Sequence, residues 1–268
     1  MPAPNLITPS QLSRLLGTPE MPCLLDVCLP EDFTEDPRVI PTARRLGFER
    51  VEDIAADLQG QRVVIICQKG KKLSQGAAAL LRTHGVAAEA LQGGIIGWRD
   101  AGLPLIPAAA LPAPGSLWVT RHRPKVDRIA CPWLIRRFID PAARFLYVAP
   151  SEVLNVAEKF GAISFDTEGA AFAHQEGHCT FDAFLDGYSL SLPGLDRMAE
   201  VIRAADGTPG AQSDQAPGLL AISLGLSRMF KDDLQQLEAA LPLYDALYRW
   251  ARDAQDETHD WDAHEGGA

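Results

Sequence analysis

Eight residues carry the densest chemical signal in the chain: Cys67-Gln68-Lys69-Gly70-Lys71-Lys72-Leu73-Ser74. Val63-Val64-Ile65-Ile66 runs up to the cysteine without a polar break, as in a strand buried on both faces. Ala77-Ala78-Ala79-Leu80-Leu81 follows, as in a helix packed on a sheet. A loop in that position turns its N–H groups toward one point, and the next helix adds its positive end. Lys69, Lys71 and Lys72 add full charges. All three effects favour a thiolate at Cys67, and the same cradle suits a persulfide or a small oxyanion.

The elements that must position this loop follow from pattern. Thr8-Pro9-Ser10-Gln11 reads as a capped helix start running to about Leu16. Residues 22–28 read as a strand, 50–59 as a helix with Val51, Ile54, Ala55 and Leu58 on one face, and 87–92 as a strand before a short helix around Trp98. Strands alternating with helices predict an α/β fold with a mostly parallel sheet covered on both faces. Functional groups in such sheets gather at the carboxyl ends of the strands, where both Cys67 and Cys28 fall. Cys28 reads either as a thiol that resolves an oxidised Cys67 or as a small buried residue.

Residues 5–107 resemble the rhodanese homology domain. Cys67-Gln68-Lys69-Gly70 matches its Cys-x-x-Gly loop, and Leu24-Leu25-Asp26-Val27 its early strand. Gln92-Gly93-Gly94 with Trp98 and Gly102-Leu103-Pro104 matches its closing pattern. The resemblance implies a doubly wound parallel sheet and a thiosulfate-type sulfurtransferase with Cys67 as persulfide carrier, requiring no cofactor. Three features depart from the family. Cys28 stands where arginine is usual, Val39-Ile40-Pro41-Thr42-Ala43 is a reduced form of a longer motif, and the Cys67 loop is one residue longer. Related phosphatases need an arginine where Leu73 stands, which makes that activity the weaker reading. Modules of this kind also serve as inactive docking units.

Residues 108–116 are rich in proline and alanine and read as a spacer between units 1–107 and 117–254. Beyond it, Lys and Arg number 7 and acids 2 from Arg121 to Arg144, in a chain of net charge −10. That local excess fits an oxyanion site at Arg121, Arg123, Lys125 and Arg128, while the overall charge argues against nucleic acid. Pro132 suits the first turn of a helix that places Cys131, Leu134, Ile135 and Phe138 on one apolar face, with Trp133, Arg136 and Arg137 elsewhere.

Strands are expected at 117–120, 144–149 and 163–166, and a helix from Ser151. In an extended chain His174, Glu176 and His178 point to one side and could hold a divalent metal; a polar surface strand gives the same pattern. Helices are expected at 193–205, 217–229 and 232–253. Leu219, Ile222 and Leu226 form one core stripe, and Leu234, Leu237 and Leu241 another, while Pro242 is expected to kink or split the last helix. Asp232 and Asp233 read as capping charges. Residues 255–268 read as a disordered acidic tail containing His259 and His264.

Residues 117–252 resemble the C-terminal domain of the chromate-resistance ChrB family. The resemblance rests on Trp118-Val119-Thr120-Arg121, on Arg123 through Ile139, on His174, on Cys179-Thr180-Phe181, on Gly218 through Ser227, on Asp232-Asp233 and on Tyr244 through Trp250. It implies an α+β, mostly helical second domain that responds to chromate or another oxyanion. Family members linked to regulation carry a different N-terminal half, so DNA binding is not implied here. A chromate or redox sensor with Cys67 as sensing thiol is the alternative to catalysis. The N-terminus has neither a basic start nor an apolar core, no apolar run is long enough to span a bilayer, and the five cysteines lack paired spacing. A cytoplasmic protein with no membrane contact is expected, taking thiosulfate or a similar small sulfur donor.

Overall fold

The computed structural model describes residues 5–175 and 177–257. The first half contains β1 (Leu6–Ile7), α1 (Pro9–Ser13), β2 (Cys23–Asp26), α2 (Pro30–Glu35), β3 (Arg38–Val39) and β4 (Arg44–Arg45). It continues with β5 (Arg62–Ile66), α3 (Lys72–Thr83), β6 (Ala87–Leu91), α4 (Gly94–Asp100) and β7 (Ile106–Pro107). Five strands form a parallel sheet in the order β1-β6-β5-β2-β4.

Side-chain alternation along β5 explains why this strand is apolar throughout. Val63, Ile65 and Cys67 pack with Ala77, Ala78 and Leu81 of α3 on one face. Val64 and Ile66 point to the other face. Thr8 caps α1 through the expected reciprocal bonds with Gln11, but only five residues are α-helical before the chain tightens into three-residue turns. Residues 50–59 are also not an α-helix. Two 3-10 turns, Phe48–Arg50 and Glu52–Ile54, bury Val51, Ala55 and Leu58 through i to i−3 bonds instead.

The second half holds β8 (Leu117–Arg121), α5 (Asp127–Leu134), β9 (Arg144–Val148), α6 (Val153–Phe160) and β10 (Ile163–Ser164). Its remaining helices are α7 (Thr180–Gly187), α8 (Pro193–Asp206), α9 (Ala216–Met229) and α10 (Asp233–Asp253). A parallel three-stranded sheet, β10-β8-β9, carries the helices. Trp118 on β8 packs against Phe165, Phe172 and Phe184 with ring centroids 5.5–6.3 Å away.

Several expectations need correction here. Pro132 lies inside α5, which starts five residues earlier at Asp127 and passes into a π-helical turn at Ile135–Ile139. Trp133, expected off the Cys131 face, is fully buried, and its indole N–H is satisfied by Asp245 at 2.8 Å. Pro242 does not split α10, since buried Leu237, Leu241 and Tyr244 hold the helix on both sides of the one lost N–H. On α9 Leu219 and Leu226 are half-buried against the core as expected, beside buried Ala216, Ser223 and Ser227, whereas Ile222 is 49% exposed. Leu234 is likewise exposed. The neighbouring 121–126 loop sits too close for large side chains: the Val126 N–H donates to Ser223 Oγ at 2.9 Å.

The two halves share one core. Leu12, Leu16, Leu24 and Val64 belong to the same buried cluster as Trp118 and Phe138. The Thr42 N–H donates to the Phe138 carbonyl at 3.1 Å, and Arg252 donates to the Leu16 carbonyl at 3.2 Å. Gly17 lies so close to the second half that a Cβ there would fall 2.5 Å from the Phe138 ring. The 108–116 segment follows the antiparallel pairing of β7 with β3 and contributes half-buried Ala108, Ala110 and Leu111.

Candidate functional site

Cys67 follows β5, with its side chain turned toward α3. It is buried, and its Sγ lies 3.1 Å from Ser74 Oγ. The loop is braced from behind by the turn after β6. The Ile95 N–H donates to the Cys67 carbonyl at 3.0 Å and the Ile96 N–H to the Gln68 carbonyl at 3.2 Å. Gln75 donates to the Gly70 carbonyl at 2.9 Å. Gly94 adopts φ +60, and a Cβ there would meet the Cys67 carbonyl oxygen at 2.0 Å. Lys69, Lys71 and Lys72 are exposed, so their charges lie at the surface of the loop.

Cys28 ends the adjacent strand segment, its N–H held by Asp26 Oδ1 at 2.9 Å. Burial pushes its thiol up, with the charges of Asp26 and Cys67 acting in the same direction.

A second cluster lies in the C-terminal half. His174 Nε2 is 3.2 Å from Asp127, 3.1 Å from Asp166 and 3.4 Å from Asp206. Asp127 and Asp166 are almost fully buried. Asp127 also accepts the Thr180 and Phe181 N–H groups at 2.8 and 3.0 Å, capping α7 from 53 residues away. Asp166 binds Arg121 at 2.8 Å and Arg128 at 3.0 Å.

Hydrogen bonds to Asp127 and Asp166 hold the His174 imidazolium up to a pKa of about 10. Burial works to raise Asp166, but His174 and the two arginines outweigh it and leave the carboxyl below its ordinary range. Asp206 is pushed up to about 6 by burial and by the neighbouring Asp127 charge. Beneath the cluster sit Cys131 and Cys179, both thiols pushed up by burial and then by Asp127. Asp127, His174 and Asp206 each present a ligand atom within 4.8 Å of the others.

The profile of the ChrB C-terminal domain matches residues 118–251, and that of the rhodanese-like domain residues 8–101. The chain belongs to the ChrB C-terminal domain family. Protein ChrB of Cupriavidus metallidurans is 36% identical over 137 residues, which is 50% of this chain and 40% of that protein, so the match spans less than half of the relative.

Among solved structures, the rhodanese-related protein of Thermoplasma volcanium is 20% identical, with a TM-score of 0.33, covering 38% of this chain and 97% of that one. A rhodanese-like domain protein of Staphylococcus aureus is 24% identical, with a TM-score of 0.33 and coverage of 37% and 96%. A thiosulfate sulfurtransferase of Pseudomonas aeruginosa is 27% identical, with a TM-score of 0.33 and coverage of 39% and 19%.

In the ChrB C-terminal domain the expected oxyanion residues do not converge as free cations. Arg121 and Arg128 are spent on Asp166, and Arg123 donates to the carbonyls of Ser227 and Phe230. Lys125 is half-buried where the loop enters α5. Of the expected metal ligands, His174 meets Asp127, Asp166 and Asp206. Gln175 and His178 exchange backbone hydrogen bonds at 3.0 and 3.2 Å, and His174 and His178 line the same cavity. His178 is exposed and 3.9 Å from Asp182. Glu176 lies outside the described residues, as do His259 and His264.

Pattern reading passed over Asp127, Asp166 and Asp206. The available signals were an acid set inside a basic run, an acid just after a strand, and an acid at a helix end before Gly207. Asp232 caps α10 by accepting the Gln235 N–H at 2.8 Å, as expected, while Asp233 accepts the Arg123 N–H at 3.1 Å. Among the described residues no helix is long and apolar enough to cross a membrane.

Proposed function

We propose that the N-terminal half carries sulfur on Cys67. The thiolate attacks the outer sulfur of thiosulfate; an S–S bond forms and sulfite leaves with the electron pair of the bond that breaks. The persulfide then gives its outer sulfur to a nucleophile, and Cys67 returns as thiolate. The observation that supports this is the braced loop after Cys67, with Ser74 Oγ 3.1 Å from Sγ and the Gly93-Gly94 turn packed on the loop backbone. Loop N–H groups stabilise the anionic persulfide, and the surface lysines attract the dianionic donor. A reducing compartment such as the cytoplasm would keep the thiol available; all five cysteines are unpaired.

Thiocyanate release from thiosulfate and cyanide, with mass spectrometry of the protein after thiosulfate alone, tests the reading. Wild type should gain one sulfur atom and turn over, and Cys67→Ser should do neither. A wild type that never gains sulfur sinks it.

The pairing of β2 with β5, which brings Cys28 within electrostatic reach of Cys67, favours a second reading, in which the pair senses an oxidant such as chromate. Two thiols would yield one disulfide, two protons and two electrons to the oxidant. Mapping the oxidised protein decides it: a Cys67 that never joins Cys28 ends the idea.

For the ChrB C-terminal domain, our reading is a metal site and not an oxyanion site, within a role in chromate resistance. Three carboxylates surround His174, and a nitrogen carrying one hydrogen cannot satisfy three acceptors at once. Asp127, His174 and Asp206 would hold a divalent cation, with Asp166 and its two arginines fixing the surroundings. Metal content of the full chain after incubation with Mn²⁺ or Zn²⁺ and gel filtration should fall to background in His174→Ala. Equal content in both proteins would reject this assignment.

A further inference from the structure

A cavity of about 520 Å³ opens where the N-terminal half, the 108–116 segment and the C-terminal half meet. It lies at the amino end of β2 and β5, where Cys23 and Gln61 line it, away from Cys67 at the carboxyl end. Its walls are apolar, built from Met21, Leu24, Val39, Leu111 and Ile139. Its size lies within the range of small-molecule sites.

One buried polar group that lines this cavity has no hydrogen-bond partner. The Thr42 side chain is only 7% exposed, and its hydroxyl makes no hydrogen bond. The hydroxyl oxygen is closed off from the cavity as it stands, so a ligand acceptor recovers the cost of leaving it unpaired only once the side chain turns about its Cα–Cβ bond.

A charge comes from Arg44, an exposed side chain in the lining. Four arginines and one aspartate line the cavity in a chain of net charge −10. Three of the four are engaged. Arg45 lies over the Phe33 ring and near Asp26, Arg136 binds Glu238 at 2.6 Å, and Arg137 binds Asp245 at 2.8 Å. The aspartate, Asp140, is held by the Ser116 N–H and hydroxyl at 2.7 and 2.6 Å. Of the four arginines, Arg44 is the one without an ion pair among the described residues, and it is exposed.

We propose that this cleft binds an organic monoanion with an apolar body, such as a medium-chain carboxylate. The headgroup meets Arg44 and accepts from Thr42, and the body lies against Met21, Leu24, Val39 and Ile139. An inorganic oxyanion would leave those walls unused, and a neutral apolar molecule would leave Arg44 and Thr42 unused. Because both halves and the segment between them line the cleft, occupancy ties the two domains together and raises their joint stability.

Decanoate displacement of 1-anilinonaphthalene-8-sulfonate from the full chain tests this, with a thermal melt of each protein. Wild type should show saturable displacement, and decanoate should raise its Tm. Arg44→Glu should weaken decanoate roughly tenfold, since one attraction becomes a repulsion at a partly screened site. Thr42→Val should weaken it roughly fivefold while leaving the unliganded Tm equal or higher, because it removes an unpartnered hydroxyl without changing shape. The neutral analogue decanol should bind more weakly than decanoate.

Equal affinity of decanoate for wild type, Arg44→Glu and Thr42→Val overturns the proposal, as does decanol binding as tightly as decanoate. The exposed apolar face of α9 is the competing site for the dye. Loss of decanoate binding in the Ile222→Ser, Leu224→Ser double variant would place the ligand there instead and also overturn the proposal.

Discussion

Replacing Gly94 by alanine should break the Cys67 loop by force of backbone alone. Gly94 has φ +60, where an L-residue costs about 1–2 kcal/mol. The new Cβ would lie 2.0 Å from the Cys67 carbonyl oxygen, 2.5 Å from the Gly70 nitrogen and 2.7 Å from the Gln68 carbonyl oxygen. All three are backbone atoms, so no side chain can rotate away. The loop must retreat, and the bonds from the Ile95 and Ile96 N–H groups go with it, at about 1 kcal/mol each. The expected loss is about 3–4 kcal/mol, a large part of the 5–15 kcal/mol typical of a folded domain.

Urea unfolding reads this as a lower midpoint at unchanged slope, and thiosulfate loading of Cys67 should be lost in parallel. Gly76→Ala is the internal control. Gly76 lies inside α3, and nothing stands within 4 Å of its added Cβ, so the change should stabilise by about 0.8–1 kcal/mol. A Gly94→Ala protein within about 0.5 kcal/mol of wild type, still able to load sulfur, would refute the argument.

Asp166→Asn should cost about 3–5 kcal/mol in urea unfolding, since it leaves the partly buried Arg121 and Arg128 without their shared counter-ion. The wild-type Asp166 carboxyl lies below its unfolded value, so its contribution is complete above that value and is lost as pH falls through the folded one. Acid melts of wild type should show this loss, and those of Asp166→Asn should not. Ile222→Ser on α9 should change stability by less than about 0.5 kcal/mol despite its place in an apolar stripe, because the side chain is already half in water; a loss of a core-like size in thermal melts would contradict the orientation of that helix. Asp232→Ala should cost about 1 kcal/mol by the same urea assay through loss of the cap on α10.

Residue order alone determined the first domain's layout. The unbroken run Val63–Ile66, the loop after it and the alanine-rich stretch beyond specify a buried strand, a turn and a packed helix through local pattern, and the Gly93-Gly94 and Trp98 motifs agree with them. The caps at Thr8 and Asp232 were also legible, because a cap needs only neighbours three residues apart. Where two helical descriptions compete over a short stretch, as at 50–59, periodicity shows which side chains are buried but not how tightly the backbone winds.

The C-terminal site was decided by tertiary structure. His174 could be noticed in the sequence, but its partners stand at 127, 166 and 206, and no local spacing connects them. The reversal at Gln175–His178 replaced the extended geometry that the pattern assumed, although His174 and His178 line one cavity. The basic run from Arg121 to Arg128 likewise looked free until Asp166 was seen beside it. On α9 the pattern placed Leu219 and Leu226 against the core, but the close approach of the 121–126 loop selected the small residues Ser223 and Ser227 for full burial and left Ile222 half in water. Local order fixes what a segment can form, whereas charge pairing and facing depend on which distant segment arrives beside it.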